Sequence, residues 1–151
     1  MIRPADMSDL ETVKSITYTT ISEIYPHYYP AGAVRFFLDH HSDANIRADI
    51  ESGIVYLLCE DYKTVGTVTL RGNEICRLFV LPSYQGKGYG RALLDFAEEQ
   101  IMHDHDEIVL DASLSAKSIY LKRGYKEREY HVIDTPDDHL CYDVMVCKTG
   151  E

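Results

Sequence analysis

Between Leu78 and Leu94 the chain passes from an apolar run, Leu78-Phe79-Val80-Leu81, through Pro82-Ser83-Tyr84 into Gln85-Gly86-Lys87-Gly88-Tyr89-Gly90-Arg91. The glycines at 86, 88 and 90 lack a Cβ, so the backbone there can take a positive φ or approach a ligand closely. The pattern predicts a strand, a tight turn and the start of a helix. A helix start leaves several N–H groups unpaired and adds partial positive charge, which makes it an anion site suited to phosphate. Lys87 and Arg91 add two full charges. An ordinary strand-to-helix turn would also use glycine for its geometry, but glycine and lysine together at a helix start favour phosphate.

Other groups capable of chemistry are scattered. His40-His41 and His103-x-His105 lack a third ligand at useful spacing, so no metal site is expected. Cys59, Cys76, Cys141 and Cys147 form no C-x-x-C pair and read as buried, reduced thiols rather than a disulfide framework. Asp134, Asp137 and Asp138 cluster with no Lys or Arg nearby in sequence. That cluster reads as a solvated acidic turn, with attraction of a cationic amine as the functional alternative.

The elements that position these groups follow from periodicity. Ile2-Arg3-Pro4 reads as a short first strand. Ser8 with Glu11 has capping-box spacing, and a helix is predicted from about Ser8 to Ile24. Two prolines and three tyrosines within 25–30 read as an ordered loop. Helical pieces follow over 33–40 and 44–50. Three strands over 54–59, 65–70 and 74–81, joined by short polar turns, form an antiparallel meander. A helix from Gly90 to Met102 carries an apolar stripe of Leu93, Leu94, Ala97 and Ile101. A strand over 107–111 precedes a short helix over 115–122, which places Ala116, Ile119 and Tyr120 on one face and stops at Gly124. Strands over 125–133 and 140–147 end the pattern. The expected fold is α+β: a mixed, mostly antiparallel central sheet flanked by helices, with a β-α-β crossover at the glycine turn.

The 151 residues suit one domain, 1–151, large enough to bury roughly two-thirds of the unfolded chain's surface. With 15 basic and 25 acidic residues the net charge is −10, which argues against nucleic acid or an anionic membrane surface as a partner. The first residues lead directly into structured-looking sequence without signal-peptide character, and no apolar run approaches the length of a membrane span. A cytoplasmic location is expected.

Three phosphate-binding patterns compete for the turn. A P-loop needs Ser or Thr after its lysine, and Lys87 is followed by Gly88. A Rossmann fingerprint needs G-x-G-x-x-G directly after a strand. Asp111 does lie about 20 residues on, where a ribose-binding acid would be, but the spacing here is G-x-G-x-G and a meander precedes it. The third pattern fits. Gln85-Gly86-Lys87-Gly88-Tyr89-Gly90 resembles the Q/R-x-x-G-x-G/A signature of the GNAT superfamily of N-acetyltransferases. Ile2-Arg3-Pro4-Ala5 resembles that family's first strand, Glu74 to Pro82 its central strand, and Ala116 to Tyr125 its A-x-x-[LF]-Y-x-K-x-G-[FY] helix.

The resemblance implies acetyl-CoA as co-substrate and no metal. Backbone groups of Leu78, Phe79 and Val80 would bind the pantetheine arm along a central strand that splays from its neighbour. Amides of Gln85, Gly86, Lys87, Gly88, Tyr89, Gly90 and Arg91 would hold the pyrophosphate. Tyr120 would be the general acid for the leaving thiolate, and Lys122 or Arg123 would reach the 3′-phosphate. Two positions depart from the family pattern. Ser113 stands where many members carry Asn for the pantetheine arm, and Ile108 stands where some carry a Glu base. The base then falls to Glu74 or to a water chain. The implied activity is acetyl transfer to a primary amine, on a small molecule or a peptide, by direct attack. The acceptor pocket is expected from residues 25–50 and 131–142. Homodimers are common in the resembled family, and no stretch of this chain marks the interface. The alternative is a non-catalytic acyl-CoA-binding module or sensor, suggested by Ser113 and Ile108.

Overall fold

A computed structural model describes residues 1–148; the last three residues of the expected 1–151 domain lie outside the described part. Its frame is a seven-stranded sheet. In chain order the strands are β1 (Ile2–Pro4), β2 (Val55–Glu60), β3 (Lys63–Arg71), β4 (Glu74–Val80), β5 (Glu107–Ala112), β6 (Lys126–Asp134) and β7 (His139–Lys148), and in space they run β1-β2-β3-β4-β5-β7-β6. Every neighbouring pair is antiparallel except β4 with β5, which is parallel and joined through helix α4 (Tyr89–Met102). The remaining helices are α1 (Leu10–Ile24), α2 (Ala31–His40), α3 (Asp43–Glu51) and α5 (Lys117–Lys122).

The β4–β5 seam positions the site. It is closed only at its start: Glu74 pairs with Val109 and Ile75 with Leu110. Asn73 reinforces this end, its carbonyl accepting from Val109 N at 3.0 Å and its side-chain amide donating to the Glu107 carbonyl at 3.1 Å. Beyond Ile75 the strands part. β3 continues to pair with β4 as far as Val80, and β7 pairs with β5 along its whole length, so the gap is held by each strand's other neighbour. A bulge at Cys76 adds to the divergence, since Thr69 faces Arg77 while Leu70 faces Ile75.

Apolar clusters pack both faces of the sheet. On one face Leu93, Leu94, Ala97 and Ile101 of α4 meet Val68, Ile108, Leu110 and Met145 together with Tyr120 and Tyr125. On the other, Ile16 and Ile21 of α1, Tyr25, Tyr29 and Phe79 meet Leu140, which bridges the two halves of the split sheet. Tyr29 is a tie rather than a pocket residue. Its hydroxyl donates to the Cys141 carbonyl at 3.0 Å and accepts from Leu114 N at 2.7 Å.

Several local expectations are corrected. The capping box before α1 is Asp6 with Asp9, two residues earlier than Ser8 with Glu11. It caps a 3-10 turn over Met7–Asp9, because the Asp9 carboxylate also takes Arg3 in two hydrogen bonds of 2.9 Å. Tyr25–His27 continues α1 as a 3-10 turn instead of a loop. The acidic turn has a cation after all: Arg35 reaches Asp137 at 4.0 Å, and Asp138 accepts from Gly32 N at 2.8 Å, which uses its charge locally. None of the four cysteines is in a disulfide, and all are only half-buried.

Arg77 is buried in this frame at 4% exposure, and Asp49 of α3 is its counter-ion at 3.2 Å. Removing one partner of a buried pair strands the other's charge. Asp49→Ala is therefore expected to lower stability by about 3 kcal/mol, read as a lower urea midpoint. An unchanged midpoint would show that the pair does not hold α3 to the sheet.

Candidate active site

The parted strands open into a cleft of about 930 Å³, which reaches from the glycine turn to α2 and β7. Leu78, Phe79 and Val80 line it along the unpaired edge of β4. An unpaired strand edge presents polar backbone groups that need a partner, so the wall suits an extended ligand with alternating donors and acceptors. One acceptor is already used: the Val80 carbonyl takes the Gln85 side-chain amide at 2.9 Å and Thr20 Oγ1 at 3.4 Å. Gln85 thereby ties the glycine turn to the end of the strand.

The turn itself has the conformation that glycine allows. Gly86 and Gly88 have φ of +77° and +89°, and Gly88 occupies the N-cap position of α4. No side chain caps this helix start. The first intrahelical bond runs from Ala92 N to the Gly88 carbonyl, which leaves the N–H groups of Tyr89, Gly90 and Arg91 without intrahelical partners. Gln85, Gly86, Gly88, Gly90 and Arg91 all line the cleft. The side chains of Lys87 and Tyr89 do not. Lys87 Nζ lies over the Tyr84 ring at 5.3 Å, and Tyr89 packs against the same ring at 6.4 Å.

Helix α5 brings Tyr120 to the opposite wall, and both of its ends are clamped. Lys117 bridges to Glu127 at 2.7 Å and to the buried Asp143 at 3.1 Å. At the other end Gly124, at φ +102°, closes a Schellman turn: Tyr125 N bonds to the Tyr120 carbonyl at 3.0 Å and Gly124 N to that of Leu121 at 3.2 Å. The two tyrosine rings meet edge to face at 5.6 Å. Arg123 holds Glu98 of α4 at 2.7 Å and also pairs with Asp95, so it is engaged in fixing α5 and is not the free cation expected for a 3′-phosphate. Lys122 does line the cleft. Ile119, expected on the packed face, is exposed at the cleft edge because the helix has only six residues and buries Tyr120 alone. The Tyr120 ring is 8% exposed, and its hydroxyl has no hydrogen-bond partner among the described residues. Burial raises its pKa, so the phenol stays protonated.

These features form one arrangement: a splayed parallel seam, an uncapped helix start behind a glycine turn, and a buried phenol facing them. A family model described as an acetyltransferase (GNAT) domain matches residues 24–135, most of the chain. The chain belongs to the GNAT acetyltransferase family. It is 39% identical to an uncharacterized N-acetyltransferase of Staphylococcus saprophyticus over 57 residues, 38% of this chain and 36% of that protein. It is 26% identical to an N-alpha-acetyltransferase of Sulfurisphaera tokodaii over 92% of this chain and 89% of that one. In fold it is similar to the crystal structure of a GCN5-related N-acetyltransferase from Rhodopseudomonas palustris, with a TM-score of 0.89, 21% identity, and coverage of 98% of this chain and 94% of that one.

On this GNAT frame the cleft has a second lobe beside the start of β4. Glu74 and Asp111 both line it, and the Asp111 charge acts on the acidity of Glu74. Burial raises the pKa of Glu74, Asp111 adds to the rise, and Arg71 and His40 oppose it. Ser113 also lines the cleft, its hydroxyl sharing a 2.8 Å hydrogen bond with Ser115. Residue patterns missed Asp111, which drew attention only as a ribose-binding acid. His41, Phe36 and Phe37, which complete this lobe, lie within the 25–50 stretch expected to supply the acceptor pocket, although no pattern singled them out individually for that role. A lone Arg77 within the apolar run 75–80 was the available signal that α3 must supply a buried partner. No group of three or more His, Cys, Asp or Glu among the described residues could hold a metal ion.

A glutamate with a raised pKa keeps its proton in the folded chain at pH values where the unfolded chain has lost it. Stability then falls as pH rises through that interval and stays lower above it. Glu74→Gln removes this penalty. The variant is expected to unfold at higher urea concentration than wild type at about pH 7, with the difference vanishing well below the ordinary glutamate range near pH 4. Asp111→Asn is expected to lower the Glu74 midpoint in a carboxyl NMR titration. A midpoint that rises or stays put would contradict the coupling.

Proposed function

We propose that this GNAT protein transfers the acetyl group of acetyl-CoA to a primary amine by direct attack. The observation that carries the proposal is the unpartnered Tyr120 hydroxyl in the same cleft as the open β4 edge and the uncapped start of α4. The residues fit such a co-substrate. The β4 edge at Leu78 and Phe79 offers backbone groups to an amide-containing arm, and the free N–H groups of Tyr89, Gly90 and Arg91 offer an anion site for a pyrophosphate. Ser113 and Lys122 lie along the cleft for further contacts.

The amine substrate is mostly protonated near neutral pH and must lose a proton before it attacks. Glu74 is the base in this reading, directly or through water, and its raised pKa makes it a better acceptor than an ordinary carboxylate. Backbone N–H groups of β4 polarise the thioester carbonyl and stabilise the negative oxygen formed on attack. As the carbon–sulfur bond breaks, Tyr120 gives its proton to the departing sulfur, and the second proton that the nitrogen sheds on becoming an amide restores the phenol by way of solvent. Its acidity is weakened by burial, but a thiolate leaving into the same buried site is desolvated too, so the proton affinities of the two groups move together.

The aromatic wall from Phe36 and Phe37 and the carboxylates Glu74 and Asp111 give the acceptor lobe an amphipathic, anionic character suited to an ammonium group. Tyr120→Phe is expected to lower kcat about a hundredfold, with acetyl-CoA affinity within about twofold of wild type. The assay follows CoA release and acetylated product across a panel of primary amines. Equal turnover in the two proteins would remove the proton-donor role. Tight acetyl-CoA binding with no turnover on any amine would favour a sensor instead.

A further inference from the structure

One polar ring in the cleft has no part in this transfer chemistry. His41 lies between α2 and α3 at 8% exposure, and Arg77 Nε donates to its Nδ1 at 3.2 Å. A guanidinium Nε carries its hydrogen at all relevant pH, so Nδ1 must be the acceptor, and this bond assigns the ring proton to Nε2. Arg77 is itself fixed, with Nη1 donating to Thr69 Oγ1 at 2.9 Å and Nη2 to Asp49 Oδ2 at 3.2 Å. Asp49 is held in turn by Arg71 at 2.6 Å. The His41 ring meets Phe79 edge-on at 5.6 Å and His40 at 5.0 Å, so it has little freedom to rotate. Burial and the Arg77 charge push its pKa down to about 3, so it is neither a base nor a switch near neutral pH.

What remains is a single N–H. Nε2 has no partner among the described residues. Nor is it sealed off, because Thr17 Oγ1 is the one side-chain polar atom among them that is both sealed and unpartnered. The ring lines the cleft beside Phe79, on the α2 side of β4, next to the strand edge assigned to the thioester.

We propose that His41 orients the amine substrate: its Nε2–H, fixed in the cleft wall by Arg77, donates a hydrogen bond to an oxygen carried close to the reacting nitrogen. The site therefore prefers amines whose neighbouring carbon bears a carbonyl or hydroxyl oxygen over plain alkylamines. A plain alkylamine leaves this buried donor unmatched on binding, and unmatched buried donors are what let a site reject a ligand lacking the acceptor. Arg77 and Asp49 act through His41 and are positioning residues. The location of the amine rests on the acetyl-transfer reading.

The test compares alaninamide with 3-methylbutan-2-amine, which has the same branching and no oxygen. Each is titrated calorimetrically onto the CoA-bound protein, with affinities corrected for the fraction of free amine. The amide is expected to bind about tenfold tighter. His41→Asn keeps an acceptor for Arg77 but has no donor at the Nε2 position; it is expected to abolish the preference while leaving acetyl-CoA affinity unchanged. His41→Gln, whose amide nitrogen reaches that position, is expected to restore most of it. Equal affinity for the two amines in wild type, binding of neither, or an equal loss for both in His41→Asn would overturn the proposal. If His41→Asn fails to fold, the wild-type comparison still decides. A His41-dependent preference without acetylation when acetyl-CoA is supplied would leave the His41 hydrogen bond to the bound amine standing and sink the transfer reading.

Discussion

Strands β4 and β5 share two residue pairs and then separate, and the other features of the site depend on that separation. A strand interior normally satisfies its backbone groups on both sides. Here β4 is satisfied by β3 and β5 by β7, so each is fully anchored away from the gap. Leu140 and Phe79 meet in one cluster beneath the opening, and Tyr120 and Tyr125 pack in the cluster on the opposite face. The sheet is thus held open by well-packed cores on both faces, and its exposed edge is a preformed surface rather than a frayed one.

Several groups around the gap are arranged at a cost to stability. Glu74 has its pKa raised by burial and by Asp111, Tyr120 keeps a hydroxyl without a partner, and α4 begins without a side-chain cap. Elsewhere polar groups are paired with care. Arg123, Lys117, Asp138 and Arg77 each have counter-charges or backbone partners that fix an element in place. The contrast between satisfied supports and unsatisfied site groups is what a preorganised site requires, because its groups must find their partners in the ligand. Under the proposed function a net charge of −10 does not oppose phosphate at the turn: that end offers backbone N–H groups and Arg91, while Glu74 and Asp111 line the cleft beside the start of β4.

Much of this could be read in the sequence because it is local. The glycine turn, the apolar stripe of α4, the meander over β2–β4 and the Gly124 helix stop are short-range patterns with direct steric causes. The true capping box was missed because Asp6, Ser8, Asp9 and Glu11 offer overlapping solutions, and Arg3 decides between them through Asp9. The His41–Arg77–Asp49 network joins positions 36 and 28 residues apart in sequence, and no periodicity links α3 to β4 in advance. The engagement of Arg123 likewise depends on Glu98, 25 residues away, so its identity as a support is visible only once α4 and α5 are packed together.

The central claim is that the open edge of β4 and the start of α4 receive acetyl-CoA. Backbone amide hydrogen exchange, followed with and without acetyl-CoA, tests it most directly. Protection is predicted over 76–80 and 86–92, with the β2–β3 hairpin unchanged. Bound acetyl-CoA that left exchange in both segments untouched would contradict the account.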